Sequence, residues 1–292
     1  MAKKEYLKRY ILIVDLLRKR SASFVEIQNF LMDNEIEISL RTFQRDKEEI
    51  EDLWGIEIKF NKKEGLYEID EELSDGKFDR IAESFNMVNA LNQSNIVSKY
   101  IFLEQRRSKG TEYFHGILHA IQNNLVVTFQ LNSFWAESTQ RCCVPKAIKE
   151  AQNRWYLIAY DLDRNDFRNY GLDRISNFQL TSSSKNSPQI NIPNHYENAF
   201  GIETYAEPTT ILLEFDNSQK EYIKSLPFHH SQEIIEERKE TFLVKLFLHP
   251  TNDFKMEILR FGKWCKVLEP ESFRDEVKQI INEMNLKYNL YE

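Results

Sequence analysis

At Gly55 the apolar period of the chain changes from about 3.6 residues to two, and this switch constrains the fold of the N-terminal region most tightly. Before it, Leu7, Tyr10, Ile11, Val14 and Leu17 recur at helical spacing, which predicts an amphipathic helix from about Glu5 to Arg20. Ser23-Phe24-Val25-Glu26 has the form of a capping box, with Ser23 as N-cap and Glu26 reaching back. The helix it opens should turn Phe24, Ile27, Phe30 and Leu31 inward. Ser39 is a second N-cap candidate, for a third helix over Leu40–Trp54 that Gly55 ends. Beyond Gly55, Ile56, Ile58 and Phe60 alternate with Glu57 and Lys59, and Asn61 to Gly65 turn the chain into Leu66-Tyr67-Glu68-Ile69. Three helices and then a hairpin are the layout of a winged helix-turn-helix. A helical cap on some other domain is the alternative that the pattern leaves open.

On the third helix, at about 100° per residue, Leu40, Phe43, Ile50, Leu53 and Trp54 fall on one side. Arg41, Gln44, Arg45, Glu48 and Asp52 face outward, with Thr42 at the flank. The outward side is basic in its first turns and acidic in its last. Asp46 to Asp52 would repel phosphate, so a helix of this kind can enter a groove only by its front half. Lys59, Lys62 and Lys63 add charge at the hairpin, where a wing meets the sugar-phosphate backbone. The residues expected to contact DNA are therefore Ser39, Arg41, Thr42, Gln44 and Arg45 on the helix, and Lys59, Lys62 and Lys63 on the hairpin. The competing reading pairs Arg41 and Arg45 with Glu48 and Glu49 along the helix, a surface arrangement with no functional content.

Composition limits the alternatives. A chain of 292 residues, 41% hydrophobic and 29% charged, is globular and long enough for two or three domains. Its formal net charge of −7 argues against diffuse coating of nucleic acid, so a DNA contact must come from a local basic patch. Cys142, Cys143 and Cys265 cannot build a disulfide framework and lack metal-ligand spacing; adjacent Cys142 and Cys143 should point to opposite faces of a strand. No Gly-rich phosphate loop, Gly-x-Ser-x-Gly elbow or His-Glu-x-x-His appears, so neither an enzyme nor a cofactor is expected. Lys3, Lys4, Lys8 and Arg9 precede an apolar stretch that Asp15 interrupts, which does not read as a signal peptide. No apolar run approaches the roughly 20 residues that span a bilayer, so no membrane partner and a cytoplasmic location are expected.

From Phe78 to Asn123 the pattern is that of a helical connector, with Phe85, Val88 and Leu91 and then Phe114, Leu118 and Ile121 on helical stripes. His115 and His119 stand one turn apart, but no acidic or Cys partner accompanies them, and a metal site is not expected. Next come short strands: Leu125–Phe129, Arg141–Pro145, Trp155–Tyr160 and Phe167–Ile175, the last two joined through a polar turn from Asp161 to Asp166. They suggest a small, strongly bent sheet or barrel. On one continuous strand Arg168, Tyr170, Leu172 and Arg174 would share a face. Guanidinium groups framing an aromatic ring suit a phosphate beside a base, whereas the alternative has them hold carboxylates of another domain. Thr181 to Pro188 reads as a polar linker. Strands at Thr210–Phe215, Thr241–Leu248 and Cys265–Leu268, with helices near Ser218–Ser225 and Glu271–Asn285, make a compact α+β end domain.

Several motifs together resemble one family. Ser39-Leu40-Arg41-Thr42-Phe43-Gln44-Arg45-Asp46 is similar to the recognition-helix signature of DeoR-type winged helices. Arg154-Trp155-Tyr156-Leu157 followed by Arg168 to Ile175, with Arg141 to Pro145 upstream, resembles the WYL-domain family of bacterial transcriptional regulators. Phe261-Gly262 and Val267-Leu268-Glu269-Pro270 are similar to that family's C-terminal extension, WCX. Gln130 and Gly171 depart from the usual pattern. The resemblance implies an α+β multidomain chain: a winged helix-turn-helix over 1–72, a helical connector over 73–123, an Sm-like small β-barrel (WYL) over 124–184 and an α+β WCX domain over 205–292. It implies a ligand-responsive regulator that binds double-stranded operator DNA as a homodimer and senses single-stranded DNA or a nucleotide-like anion. Arg141, Tyr156, Arg168, Tyr170 and Arg174 are the residues expected at the effector. An interaction adaptor whose winged helix has lost DNA binding is the runner-up.

Overall fold

The computed structural model describes residues 2–69, Ser84 and residues 108–289, in two units, Met1–Gln105 and Arg106–Glu292. Phe85, Val88 and Leu91 of the expected connector lie outside the described residues.

The first unit contains α1 (Ala2–Lys19), α2 (Phe24–Asp33), α3 (Leu40–Trp54) and a hairpin of β1 (Ile58–Asn61) and β2 (Leu66–Ile69). Local chemistry sets the helix ends. The Glu26 amide donates to Ser23 Oγ at 3.3 Å, while Glu26 Oε2 accepts from the Ser23 amide at 2.8 Å, which completes the capping box. Ser39 Oγ accepts from the Thr42 amide at 3.2 Å, and Gly55 closes α3 in the left-handed region, φ 69°, where a side chain would be strained. Ile13, Val14, Ile27, Leu31, Phe43 and Ile50 form the centre of the core. The Phe43 ring meets Tyr67 edge-on at 4.8 Å, which anchors the hairpin to α3. A second anchor comes from the link between α1 and α2: Ala22 and Tyr67 exchange two backbone hydrogen bonds, at 3.1 and 2.8 Å. Three positions expected in the core are instead open to water, Leu40 at 49%, Leu53 at 56% and Phe60 at 47%. Leu40 and Leu53 lie at the two ends of α3, where the neighbouring Trp54 rather than Leu53 packs on Tyr10 of α1, and Phe60 lies toward the hairpin tip.

The second unit opens with a 3₁₀ turn, Thr111–Tyr113, and α4 (Phe114–Gln122). These lie on a five-stranded antiparallel sheet of β3 (Leu125–Leu131), β4 (Thr139–Ala151), β5 (Arg154–Asp161), β6 (Asp166–Gly171) and β7 (Ile175–Ser184), in the order β6-β5-β4-β3-β7. Ile117 and Ala120 of α4 pack with Val127, Phe129, Leu157 and Leu172. Gly110 permits the approach to the last of these, since a Cβ there would come within 2.4 Å of the Leu172 side chain. The expected turn from Asp161 to Asp166 joins β5 to β6 in register. Two expectations fail. The strand expected through Ile175 ends at Gly171, and a 3₁₀ turn, Leu172–Arg174, leads into β7. Moreover β6 and β7 are the two edges of the sheet, so the small barrel is not closed. The polar stretch expected as a linker is partly strand, because β7 continues through Ser184.

The other face of this sheet is covered by residues 192–202, which include the short α5 (Ile192–Tyr196). The Tyr196 hydroxyl donates to Asn169 Oδ1 at 2.7 Å, and Asn169 Nδ2 donates to the Ile202 carbonyl at 3.0 Å. Then follow β8 (Thr209–Asp216), α6 (Lys220–Ser225), β9 (Glu233–Glu237), β10 (Thr241–Leu248), α7 (Asn252–Arg260), β11 (Cys265–Glu269) and α8 (Glu271–Asn289). The antiparallel order β11-β8-β10-β9 is the split arrangement of a ferredoxin-like fold. Phe215, Phe242, Phe254 and Phe273 fill its core.

Candidate nucleic-acid interface

Among the expected DNA contacts, Arg41 and Arg45 stand one turn apart on the exposed side of α3, and no carboxylate of a described residue lies within ion-pair distance of either. Pairing with Glu48 or Glu49 is not found. Asp46, counted from the sequence among the carboxylates that would repel phosphate, is fully buried; its carboxylate takes two hydrogen bonds from Arg9, at 2.6 and 2.7 Å. The acidic charge nearest the front of α3 is thereby neutralised from the inside. Gln44 is exposed, but its amide donates to the Tyr67 hydroxyl at 3.1 Å. Ser39 and Thr42 share a hydroxyl–hydroxyl hydrogen bond of 3.0 Å at the helix N-terminus. On the hairpin, Lys59 is 3.6 Å from Glu57, whereas Lys62 and Lys63 lie exposed in the turn, which Asn61 orders by accepting from the Lys63 amide at 3.1 Å.

In the second unit, cross-strand register puts Arg141, Asp161, Arg168 and Tyr170 on one face of the five-stranded sheet. Tyr170 is buried, and its hydroxyl donates to Asp161 Oδ2. Burial alone would raise the Asp161 carboxyl. The hydrogen bonds from Tyr170 and from the Arg164 and Asp163 amides outweigh it and hold the group below its ordinary value. Burial and that carboxylate push the Tyr170 phenol well above its ordinary range. Arg141 Nε is buried without a partner among the described residues, and its Nη1 reaches the Gln140 carbonyl at a marginal 3.5 Å. Arg168 pairs at the surface with Asp166, at 2.8 Å. Arg174 is not on the strand with Arg168; it sits in the 3₁₀ turn, its guanidinium 5.3 Å from the Phe134 ring centre. Tyr156 faces the other side of the sheet among Tyr196 and Ile202, where burial raises its hydroxyl pKa. Three of the five expected effector residues therefore share a face, one lies at a neighbouring turn and one lies behind. Burial also pushes the Cys143 thiol up to about 12. His115 and His119 are exposed, and among the described residues no group of three metal-binding side chains occurs.

Two family models match the second unit. The WYL domain model matches residues 112–180, from the 3₁₀ turn before α4 into β7, and the WCX domain model matches residues 207–284. The chain belongs to the WYL-domain family.

Two solved structures are similar to it at 15% identity. Proteasome accessory factor B/C (PafBC) of Arthrobacter aurescens aligns with a TM-score of 0.36, over 93% of this chain and 45% of that one. A CRISPR Cas-related protein aligns with a TM-score of 0.42, over 90% of this chain and 78% of that one. The chain thus spans less than half the length of the PafBC chain. Among the described residues no helix is long and apolar enough to cross a membrane.

The WYL domain also displays residues that sequence reasoning missed. Between β3 and β4, Phe134 and Trp135 are 64% and 95% exposed. Their loop is nonetheless ordered: Ser133 Oγ accepts from the Trp135 and Ala136 amides, both at 3.2 Å, and the Asn132 amide donates to the Arg174 carbonyl at 2.8 Å. A groove of about 440 Å³ opens beside the loop, lined by Thr128, Gln130, Ser138, Gln140, Asn177 and Gln179. The available signal was two bulky rings inside an otherwise polar turn, Asn132 to Ser138.

Proposed function

We propose that this protein is a DNA-binding transcriptional regulator whose N-terminal unit acts as a winged helix-turn-helix and whose WYL domain receives an anionic, nucleic-acid-like effector. The observation that carries the reading is the front of α3: Arg41 and Arg45 are exposed and, among the described residues, unpaired, while Asp46 is turned inward onto Arg9. Such a helix offers guanidinium groups to a groove without an adjacent exposed carboxylate at position 46. The hairpin supports it by holding Lys62 and Lys63 at a tip tied to α1–α2 through Ala22 and to α3 through Phe43. Gln44 and Lys59, engaged by Tyr67 and Glu57, play a smaller part. Two copies bind an inverted repeat, with half-site centres about 34–36 Å or a multiple of it apart.

For the effector, Arg141 supplies an unsatisfied buried donor, Arg168 a surface charge, and Arg174 with Phe134 and Trp135 a cation beside two open rings. That set suits a phosphate next to a base. Tyr170 supports Asp161 from within, and Tyr156 serves the packing of residues 192–202. Effector occupancy alters operator affinity by favouring one arrangement of the two DNA-binding units, on the usual scale of about 1–3 kcal/mol.

The test is a gel-shift series on DNA flanking the gene, across a range of salt. Arg41→Ala and Arg45→Ala should each cost about 1–3 kcal/mol in operator affinity. Lys62→Ala and Lys63→Ala should weaken all sequences alike and reduce the salt slope by about one each. Wild-type affinity in the Arg41→Ala, Arg45→Ala double variant would refute the assignment and favour an interaction adaptor.

A further inference from the structure

A second pocket of the WYL domain lies at the corner where α4 ends and β7 gives way to the segment that covers the sheet. Its volume is about 300 Å³, at the small end of the range for ligand sites. Among the described residues every side chain that lines it is polar, and none is a carboxylate or an aromatic ring. The cationic side is built by a backbone irregularity. Pro145 of β4 faces Ala159 of β5 and Ala147 faces Ile158, so Lys146 is an extra residue without a cross-strand partner. A bulge of this kind re-aims a side chain, and Lys146 lines the pocket. Lys185, directly after the last residue of β7, lines it as well. Neither ammonium group has a carboxylate within ion-pair distance among the described residues, in a chain of formal net charge −7.

The rest of the wall holds hydrogen-bonding capacity in reserve. The Asn123 amide already donates to the His119 carbonyl at 2.9 Å, but Asn124, Asn186 and Gln189 make no side-chain hydrogen bond among the described residues. Ser187 Oγ is buried and has no partner there either; with Arg141 Nε and Thr251 Oγ1 it is one of three such atoms among the described residues. A buried hydroxyl without a partner is destabilising, and an oxygen of a ligand in the pocket would satisfy it.

We infer that this pocket binds a small phosphorylated compound without a nucleobase, either a sugar phosphate or inorganic phosphate. Lys146 and Lys185 meet the phosphate as point charges, while Ser187 Oγ and the free amides donate to its oxygens or to sugar hydroxyls. A base would find no ring to stack on. That separates this pocket from the effector face, where Arg174 lies beside Phe134. The inference is independent of DNA binding and of the effector proposed above.

Calorimetric titration of the full chain at fixed ionic strength tests it. The probes are inorganic phosphate and ribose 5-phosphate, with adenosine 5′-monophosphate and chloride for comparison. Phosphate and ribose 5-phosphate should both bind saturably and compete with each other. Tighter binding of the sugar phosphate would assign the amides to sugar hydroxyls, and equal binding would assign the pocket to the phosphate group alone; either supports the inference. Lys146→Gln and Lys185→Gln should each weaken both probes by about tenfold, the loss expected for one charge-assisted hydrogen bond. Ser187→Ala should weaken them by a smaller factor, and Arg141→Ala and Arg168→Ala should leave them unchanged. Loss of binding in the arginine variants with wild-type affinity in the lysine variants would move the phosphate to the effector face and overturn the inference. It also fails if neither probe saturates at millimolar concentration, if chloride competes as well as phosphate, or if adenosine 5′-monophosphate binds more tightly than ribose 5-phosphate. A Lys146→Gln variant that melts earlier yet binds phosphate like wild type would make this lysine a cap on the C-terminal end of α4, which overturns it too.

Discussion

Removing the Asp46 carboxylate should loosen α3 more than any other single change on its polar positions. The Asp46 side chain is 0% and the Arg9 side chain 9% exposed, so neither charge has ready access to water once the other is lost. Breaking a buried pair from one side typically costs about 3–5 kcal/mol, because an uncompensated charge remains inside. Asp46→Ala should fall toward the lower end, since the guanidinium keeps the Tyr6 and Tyr10 rings at 5.3 and 5.6 Å and its 9% opening offers some rehydration. Replacing both partners, Arg9→Met with Asp46→Leu, removes the stranded charge and should recover most of that loss. The assay is urea unfolding of the full chain, paired with hydrogen exchange of the α3 amides to separate this unit from the rest. The cost should persist at 1 M salt, where the screening length of about 3 Å abolishes surface pairs. A cost of Asp46→Ala below about 1 kcal/mol, or a double variant no more stable than the single one, would refute the claim that this pair fixes α3.

Other outcomes follow from single contacts. Ser23→Ala should destabilise the first unit by about 1 kcal/mol through loss of the α2 cap. The Glu26 carboxyl is held at about 2 by hydrogen bonds from the Ser23 backbone, the Arg20 side chain and the Ser23 hydroxyl. Its folded pKa lies below its unfolded one, so its stabilisation is complete above pH 4.5 and is lost as pH falls toward 2; Glu26→Gln should flatten that part of an acid-unfolding curve. Tyr170→Phe leaves a buried oxygen of Asp161 without its donor and should cost about 1–3 kcal/mol, measured by thermal unfolding. Trp135→Ala should leave stability within about 0.5 kcal/mol, as for other exposed sites, yet weaken labelled single-stranded DNA by about 1–3 kcal/mol per stacked base. Unchanged affinity would exclude the ring from the effector site.

The residues most legible in the sequence were those whose partners are near in the chain. Ser23, Glu26, Ser39 and Gly55 gave the helix ends because capping involves residues three or four apart. Asp46 was misjudged for the opposite reason: its partner is 37 residues away, and it was counted with the phosphate-repelling carboxylates for its charge although its angle lies between those of Ile50 and Leu53. A helical wheel treats a helix as packed along its whole length, which placed Leu40 and Leu53 inside. Strand β9 went unnoticed because Glu233-Ile234-Ile235-Glu236-Glu237 is an acidic edge strand without alternation. At the effector face, alternation along Phe167–Gly171 correctly paired Arg168 with Tyr170. It failed beyond Gly171, where a 3₁₀ turn breaks the period and carries Arg174 to Phe134. Exposed rings in a loop carry no periodic signal at all.

The sheet order of the WCX domain has a consequence for synthesis. Strand β8 begins the domain, but one of its two neighbours, β11, starts at Cys265, after the rest of the sheet has been made. As the chain leaves the ribosome, β10 can pair with β8 and β9, while the far edge of β8 carries Ile211, Leu213 and Phe215 with open backbone groups beside them. Roughly 50 further residues separate the two strands, a delay of about 2–10 s at usual elongation rates. During that interval a nascent chain presents an apolar strand edge to its neighbours on the same message. The hazard ends when β11, and α8 with its Phe273, emerges to cover it, so a ribosome that stalls shortly before Cys265 would release a fragment with the β8 edge open.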